Sequence, residues 1–492
     1  MNRIPETCGI SSASIELFLR ELNAHGFAMH SVLLARRGEI VYEGYWKPFS
    51  AEYLHRMNSV TKSFVGIAVG LLIEDGLLSL DDKAVMFFPD DLPEEVREEL
   101  GEQTVRDMLT MRTCITPGAE HWIRDKVQNR TKDYFLKKPT RPADTLFFYD
   151  TTGNFLLTRI VEDLTGKPFL EYLRERILSK IGFSENAVCI KGNDGYSWGD
   201  SGLLCTTRDL LLFAEFLRCG GKWKGEQLMD ANYIKAATAR QTASNVLGWE
   251  TYGTFGYGYQ IWKTWDDGFA FFGMGDQVMI CLPAQELIFV CTADNQGCAF
   301  SRMMILDAFD RHIRQTVSSV SLPEAPEAFD SLRSYTETLS LVSLCGEKEV
   351  PCAAEIDGKT VLLEDNPMGI RWCRFRFADG QGVMEYENAT GRKELPFAFE
   401  ENLFSQFPEE GYPDMEICDF TPGNFYPCAT SAAWQDARTL AIKTFMIGKH
   451  LGALYITVGF RADGKVGLRM LRNTNCFLHT YNGYATGRIL KE

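Results

Sequence analysis

No apolar run of the signal-peptide kind opens the chain: Met1-Asn2-Arg3-Ile4-Pro5-Glu6-Thr7 is mixed and turn-prone. The longest apolar candidate, Phe64 to Ile73, is ended by Glu74-Asp75-Gly76. It falls short of the roughly 18–20 residues that a membrane span needs. Positive charge is also scarce. Lys and Arg number 51 against 66 Asp and Glu, a formal net charge of -15. Nucleic acid and anionic membranes need a basic footprint and are not expected as partners. Cys-x-x-Cys does not occur among the 14 scattered cysteines. They read as small buried apolar residues and not as a disulfide frame. The seven histidines are widely spaced, and neither His-Glu-x-x-His nor a Gly-x-Ser-x-Gly elbow is present. These absences point away from a metal enzyme and towards a cytoplasmic location.

What is present suits two domains or more, since 492 residues exceed one small core. Up to about residue 316 helical and strand patterns alternate. Ile15 to Ala24 puts Ile15, Phe18, Leu19 and Leu22 on one helical face. Ser31 to Ala35 and Ile40 to Tyr42 flank a turn and read as a hairpin. Helices are expected from Ser59, over Thr104 to Met111, Phe155 to Leu164 and Arg208 to Leu217. Tyr257 to Trp262, Phe269 to Phe272, Val278 to Leu282 and Leu287 to Thr292 read as consecutive antiparallel strands. Residues 318–330, with Pro323 and Pro326, lack periodicity and read as a linker. It divides a first domain, 1–317, from a second, 331–492. The second is expected to be mostly antiparallel β, with turns at Asp357-Gly358, Asp379-Gly380 and Asp463-Gly464.

Chemistry concentrates in Met57-Asn58-Ser59-Val60-Thr61-Lys62-Ser63-Phe64. Residues three apart on a helix are neighbours, so the Lys62 amine can reach the Ser59 hydroxyl. A serine hydroxyl is a poor nucleophile until a base takes its proton, and a lysine in a suitable environment can be that base. The helix N-terminus favours a developing alkoxide. Ser-x-x-Lys alone also fits a capping serine followed by a surface lysine.

The surrounding sequence resembles the family of class C β-lactamases, DD-peptidases and related esterases. Ser59 to Asp82, with the turn Asp75-Gly76-Leu77-Leu78-Ser79-Leu80-Asp81-Asp82, is similar to its nucleophile helix. Thr104 to Met111, Gly166 to Phe169 and Asp200 to Asp209 resemble later segments in order. The resemblance runs from about Ile15 to Asn295. It implies an α+β fold: a five-stranded antiparallel sheet flanked by helices, an all-helical lobe, and a site between them.

The resemblance also assigns roles. Tyr149 matches the tyrosine of the family's second motif, a phenol that passes a proton to the leaving group. Thr151 stands where the family has an asparagine and cannot reproduce its amide. Gly273, Met274, Gly275 and Asp276 occupy the third motif, without its lysine or histidine. An oxyanion hole needs two N–H donors, expected from Ser59 and from the backbone around Gly275 or Asp276. Lys263-Thr264-Trp265 mimics part of this motif, lacks the glycine, and reads as an exposed turn. Residues 120–142 hold seven Lys and Arg against three Asp and Glu. Arg124 belongs to this stretch, which could roof the site and favour an anionic substrate. A solvated surface loop fits it too. His121, Trp122 and Trp262 are candidate pocket walls.

The expectation is a serine hydrolase working through a Ser59 ester, with Lys62 and Tyr149 moving protons and no cofactor. Esters, small amides, D-amino-acid peptides and β-lactams all remain open as substrates. The alternative is a catalytically inactive binding protein, suggested by Thr151 and Gly273.

Overall fold

The computed structural model describes residues 4–116, 129–244, 255–417, 419–474 and 477–490. They form two compact units. The first comprises Met1–Ser340 and Met415–Ile417, the second Leu341–Asp414 and Cys418–Glu492.

The first unit is built on a central antiparallel sheet. Helix α1 (Ser12–Ala24), capped by the Ser11 hydroxyl, precedes strands β1 (Met29–Arg36) and β2 (Glu39–Tyr45). Strands β3 (Trp262–Lys263), β4 (Phe269–Gly273), β5 (Gln277–Leu282) and β6 (Leu287–Ala293) complete the order β2-β1-β6-β5-β4-β3. Alternate residues serve two cores, as the two-residue period of a strand dictates. Leu33, Phe271, Met279 and Val290 face one core, and Leu34, Ala270, Ile280 and Phe289 the other. Helix α2 (Thr61–Glu74) lies in the first core and is buried almost all round; its Phe64 ring stacks on Phe213 at 3.9 Å. Burying one such side chain stabilises by roughly 1.5–3 kcal/mol. Around α2 stand α3 (Val105–Leu109), α4 (Thr151–Thr165) and α5 (Thr207–Arg218). The opposite core is closed by α1, α6 (Ser301–Phe309) and α7 (Pro326–Glu337).

Four expectations are corrected. The sheet has six strands, not five, because the short β3 pairs with β4. Tyr257 to Trp262 is not a strand; Gln260 adopts a left-handed φ of 61°, which breaks the extended run. Residues 318–330 are not one linker. Pro326 starts α7, where a first-turn proline costs no hydrogen bond, and Leu332 is fully buried in the second core. The units divide after Ser340. Lys263 is buried and not exposed, its amine held by the Thr238 and Asp267 carbonyls and the Asp267 carboxylate.

The second unit is more regular than a generic antiparallel domain. Its strands are β7 (Thr360–Leu363), β8 (Trp372–Ala378), β9 (Gln381–Asn388), β10 (Gly391–Phe399), β11 (Leu403–Glu410), β12 (Phe425–Asp436), β13 (Thr439–Ile447), β14 (Leu451–Phe460), β15 (Lys465–Thr474) and β16 (Gly483–Ile489). Nine of them close a barrel in the order β10-β9-β8-β7-β16-β15-β14-β13-β12. The ring is completed by a short parallel pairing of Ala398 with Ser431 and Phe399 with Ala432. Strand β11 pairs on β12. Closure removes the unpaired edges that an open sheet leaves.

Candidate active site

Ser59 sits in a short 3₁₀ turn, Asn58–Val60, immediately before α2. The turn is tied down from both sides. Met57 N–H donates to Leu203 O at 2.8 Å, and the Thr61 hydroxyl donates to Asn58 O at 2.6 Å. Asn58 takes a left-handed φ of 49°, which asparagine tolerates better than most residues. Its side-chain amide donates to Met274 O at 2.9 Å.

One turn into the helix, Lys62 is 1% exposed. Its Nζ lies 3.0 Å from Ser59 Oγ and donates to Asp200 O at 2.7 Å. The same nitrogen lies 5.2 Å from the centre of the Tyr149 ring. Tyr149 stacks on Trp262, ring centres 5.6 Å apart, with Tyr257 edge-on to both. The tyrosine precedes the cap of α4. The Asp150 carboxylate accepts from the N–H groups of Thr152 and Gly153 and from the Thr113 hydroxyl. That cap starts α4 at Thr151, earlier than the apolar pattern suggests, and puts Thr151 in its first turn beside Tyr149.

Gly273, Met274, Gly275 and Asp276 form the end of β4 and its turn into β5, where Gln277 pairs with Gly273. A Cβ on Gly273 would stand 2.4 Å from Met57 O, so only glycine allows this close approach. Gly275 and Asp276 have φ of 76° and 71°. The turn is fastened by side chains: Gln277 donates to Met274 O at 2.9 Å, and Asn295 to the Asp276 carboxylate at 3.0 Å. Arg302, on α6, donates to Gly273 O at 2.7 Å and lies 3.6 Å from that carboxylate.

Ser59, Lys62, Tyr149, Trp262 and the Gly273–Asp276 turn are thus brought into one neighbourhood. His121, Trp122 and Arg124 lie outside the described residues. Within the rest of the basic stretch several cations are used internally. Arg130 is buried, pairs with Asp194 at 2.8 Å and stacks on Phe155. Arg141 donates to Ile115 O, and Lys137 pairs with Asp133. Two residues at this place escaped sequence reasoning. Arg302 follows the sheet with no motif to mark it. Asp200 reads as part of a structural segment, yet its carboxyl is completely buried next to Lys62. Among the described residues no group of three or more His, Cys, Asp or Glu could hold a metal ion.

Residues 15–300 match the family model described as Beta-lactamase. The 6-aminohexanoate-dimer hydrolase of Paenarthrobacter ureafaciens is 25% identical over 225 residues, 42% of this chain and 56% of that protein. The chain therefore matches little more than half the length of this relative. Among solved structures, the octameric penicillin-binding protein homologue from Pyrococcus abyssi is similar over 96% of this chain and 99% of its own. Its TM-score is 0.50 at 15% identity. The D-amino acid amidase from Ochrobactrum anthropi covers 62% of this chain and 99% of its own, with TM-score 0.51 at 18% identity.

Proposed function

The chain belongs to the Beta-lactamase family, and from that premise we propose that it is a serine hydrolase of esters or small linear amides. The observation that carries this reading is the 3.0 Å hydrogen bond between buried Lys62 and Ser59 Oγ at the head of α2. As Ser59 Oγ bonds to the substrate carbonyl carbon, its proton passes to Lys62 Nζ. The carbonyl oxygen becomes an oxyanion, held by the N–H of Ser59 and a backbone N–H of the Gly273–Asp276 turn. Collapse breaks the bond to the leaving group, which takes a proton through Tyr149. Water then attacks the acyl-enzyme, and the same groups return the proton to Ser59. The fastening of the turn by Asn58, Gln277 and Arg302 supports a preorganised oxyanion site. The Met1–Ser340 part is the catalytic domain in this proposal.

The substrate preference follows from two departures from the family pattern. Thr151 lacks the amide that orients an acylamino arm, and the third motif carries no lysine or histidine for a carboxylate. Losing one charge-assisted hydrogen bond in the transition state costs roughly one to two decades in rate. An activated ester needs neither anchor. The relatives' names, a 6-aminohexanoate-dimer hydrolase and a D-amino acid amidase, agree with a linear substrate. The test is a side-by-side kcat/KM for p-nitrophenyl butyrate and a chromogenic cephalosporin. The ester should be the better substrate by about tenfold or more; an equal or better cephalosporin would reverse the assignment.

A further inference from the structure

Asp200 is 0% exposed, and its backbone carbonyl accepts from Lys62 Nζ at 2.7 Å. Its side chain is therefore only a few bonds from the proposed base. Hydrogen bonds from the Ser201 and Trp198 side chains, on the same loop, favour its ionised form. A buried carboxylate stays costly unless hydrogen bonds and nearby charge together offset it. The charges around it come from three elements. Lys62 on α2 and Arg130 on the helix Arg130–Leu136 both draw the carboxyl towards its ionised form. Arg56, on the strand His55–Arg56, donates to Ser201 O at 3.2 Å and stacks over Trp198 at 4.2 Å. The Cys189 thiol, on the strand Val188–Cys189 that pairs with Leu203–Cys205, feels the Asp200 charge as well, with Glu162 beyond it. Burial pushes the Asp200 carboxyl above the usual range. Facing Lys62 from the other side are Ser59 and Tyr149.

This arrangement has a chemical consequence. When Lys62 takes the Ser59 proton, a cation forms inside a buried site, where it is poorly solvated. A fixed negative charge next to it stabilises that cation. We infer that Asp200 is a positioning residue for the hydrolytic reaction, its backbone carbonyl holding Lys62 and its buried carboxylate stabilising the ammonium that forms as Ser59 is acylated. The inference rests on Ser59 and Lys62 being nucleophile and base. Two effects must then occur together when the charge is removed. Acylation slows, because the developing ammonium loses its counter-charge. The pH below which activity is lost also falls, because the buried site then carries one negative charge fewer.

The experiment measures kcat/KM for p-nitrophenyl butyrate against pH in the full-length wild type and in Asp200→Asn, Asp200→Ser and Asp200→Glu. The neutral variants should lose about 10- to 100-fold on the plateau. Their acid limb should move to lower pH by about one unit. Asp200→Glu should recover part of both. A plateau loss with an unmoved limb would make Asp200 merely structural and overturn the inference, as would a limb that moves upward. Failure of both neutral variants to fold, judged by circular dichroism, would also overturn it in favour of a structural carboxylate. A fluorophosphonate adduct on Ser59 in the wild type keeps the underlying reading separate. If that adduct forms and the limb does not move, only the role of Asp200 falls.

Discussion

Lys62 is held by two hydrogen bonds, one to Ser59 Oγ and one to the Asp200 carbonyl. The second fixes the nitrogen so that the first points at the Ser59 hydroxyl. The proposed role is that of a base and not merely of a cation, which separates lysine from arginine. Arginine keeps the positive charge and cannot accept the proton. Lys62→Arg should therefore lose about 10²- to 10⁴-fold in acylation rate while giving the wild-type far-UV circular dichroism spectrum. Stopped-flow release of p-nitrophenol measures the first, and near wild-type rates would remove lysine from the mechanism. This pair was readable in the sequence because it is local: three positions apart at the head of α2. Asp200 was not. Its buried carboxyl draws on Arg130 and Lys62, which lie 70 and 138 positions away, and no period or motif connects them.

At the scale of elements, the nucleophile turn is supported by a buried histidine pair. His30 on β1 and His55 on the strand His55–Arg56 share a 2.7 Å hydrogen bond, and His55 also bonds Arg56 O. His30 stacks on Phe49, with Tyr53 edge-on to that ring and facing His55, and Asp294 near Tyr53. Burial lowers His55 to about 4; burial, and then the neighbouring His55, holds His30 well below 6.5. Both rings are neutral in the folded protein at neutral pH. The unfolded chain binds protons on them from about pH 6.5 downwards, whereas folded His55 does so only near 4. Stability should thus be full above pH 6.5 and fall between 6.5 and 4, His55 alone contributing on the order of 3 kcal/mol. Urea unfolding across this window measures it. His55→Gln should flatten the dependence, and an unchanged slope would remove the histidines from the acid response. Other elements mark the limits of sequence reading. Helix α2 was evident from its apolar run. Helix α7 was not, because Pro326 and the small polar residues before it look like a linker until Leu332 is seen against the second core. The strand expected over Tyr257 to Trp262 fails at Gln260, whose backbone N–H donates to Leu109 O and whose side-chain amide donates to the Met108 and Leu109 carbonyls, tertiary partners that the local sequence does not contain.

For the whole molecule, the two-unit division and the β character of the C-terminal part were legible from composition and Asp-Gly turns. Closure into a nine-stranded barrel was not, because it depends on the pairing of β10 with β12, strands not adjacent in the chain. No helix among the described residues is long and apolar enough to cross a membrane. The proposed function requires that Ser59 be the nucleophile of a lysine-assisted acyl transfer. The most direct measurement is to treat the full-length protein with a fluorophosphonate and map the adduct by peptide mass spectrometry, beside Ser59→Ala. One adduct per chain on Ser59, with labelling and ester hydrolysis both lost in Ser59→Ala, is the predicted result. An adduct on another serine, with Ser59→Ala still fully active, would contradict it.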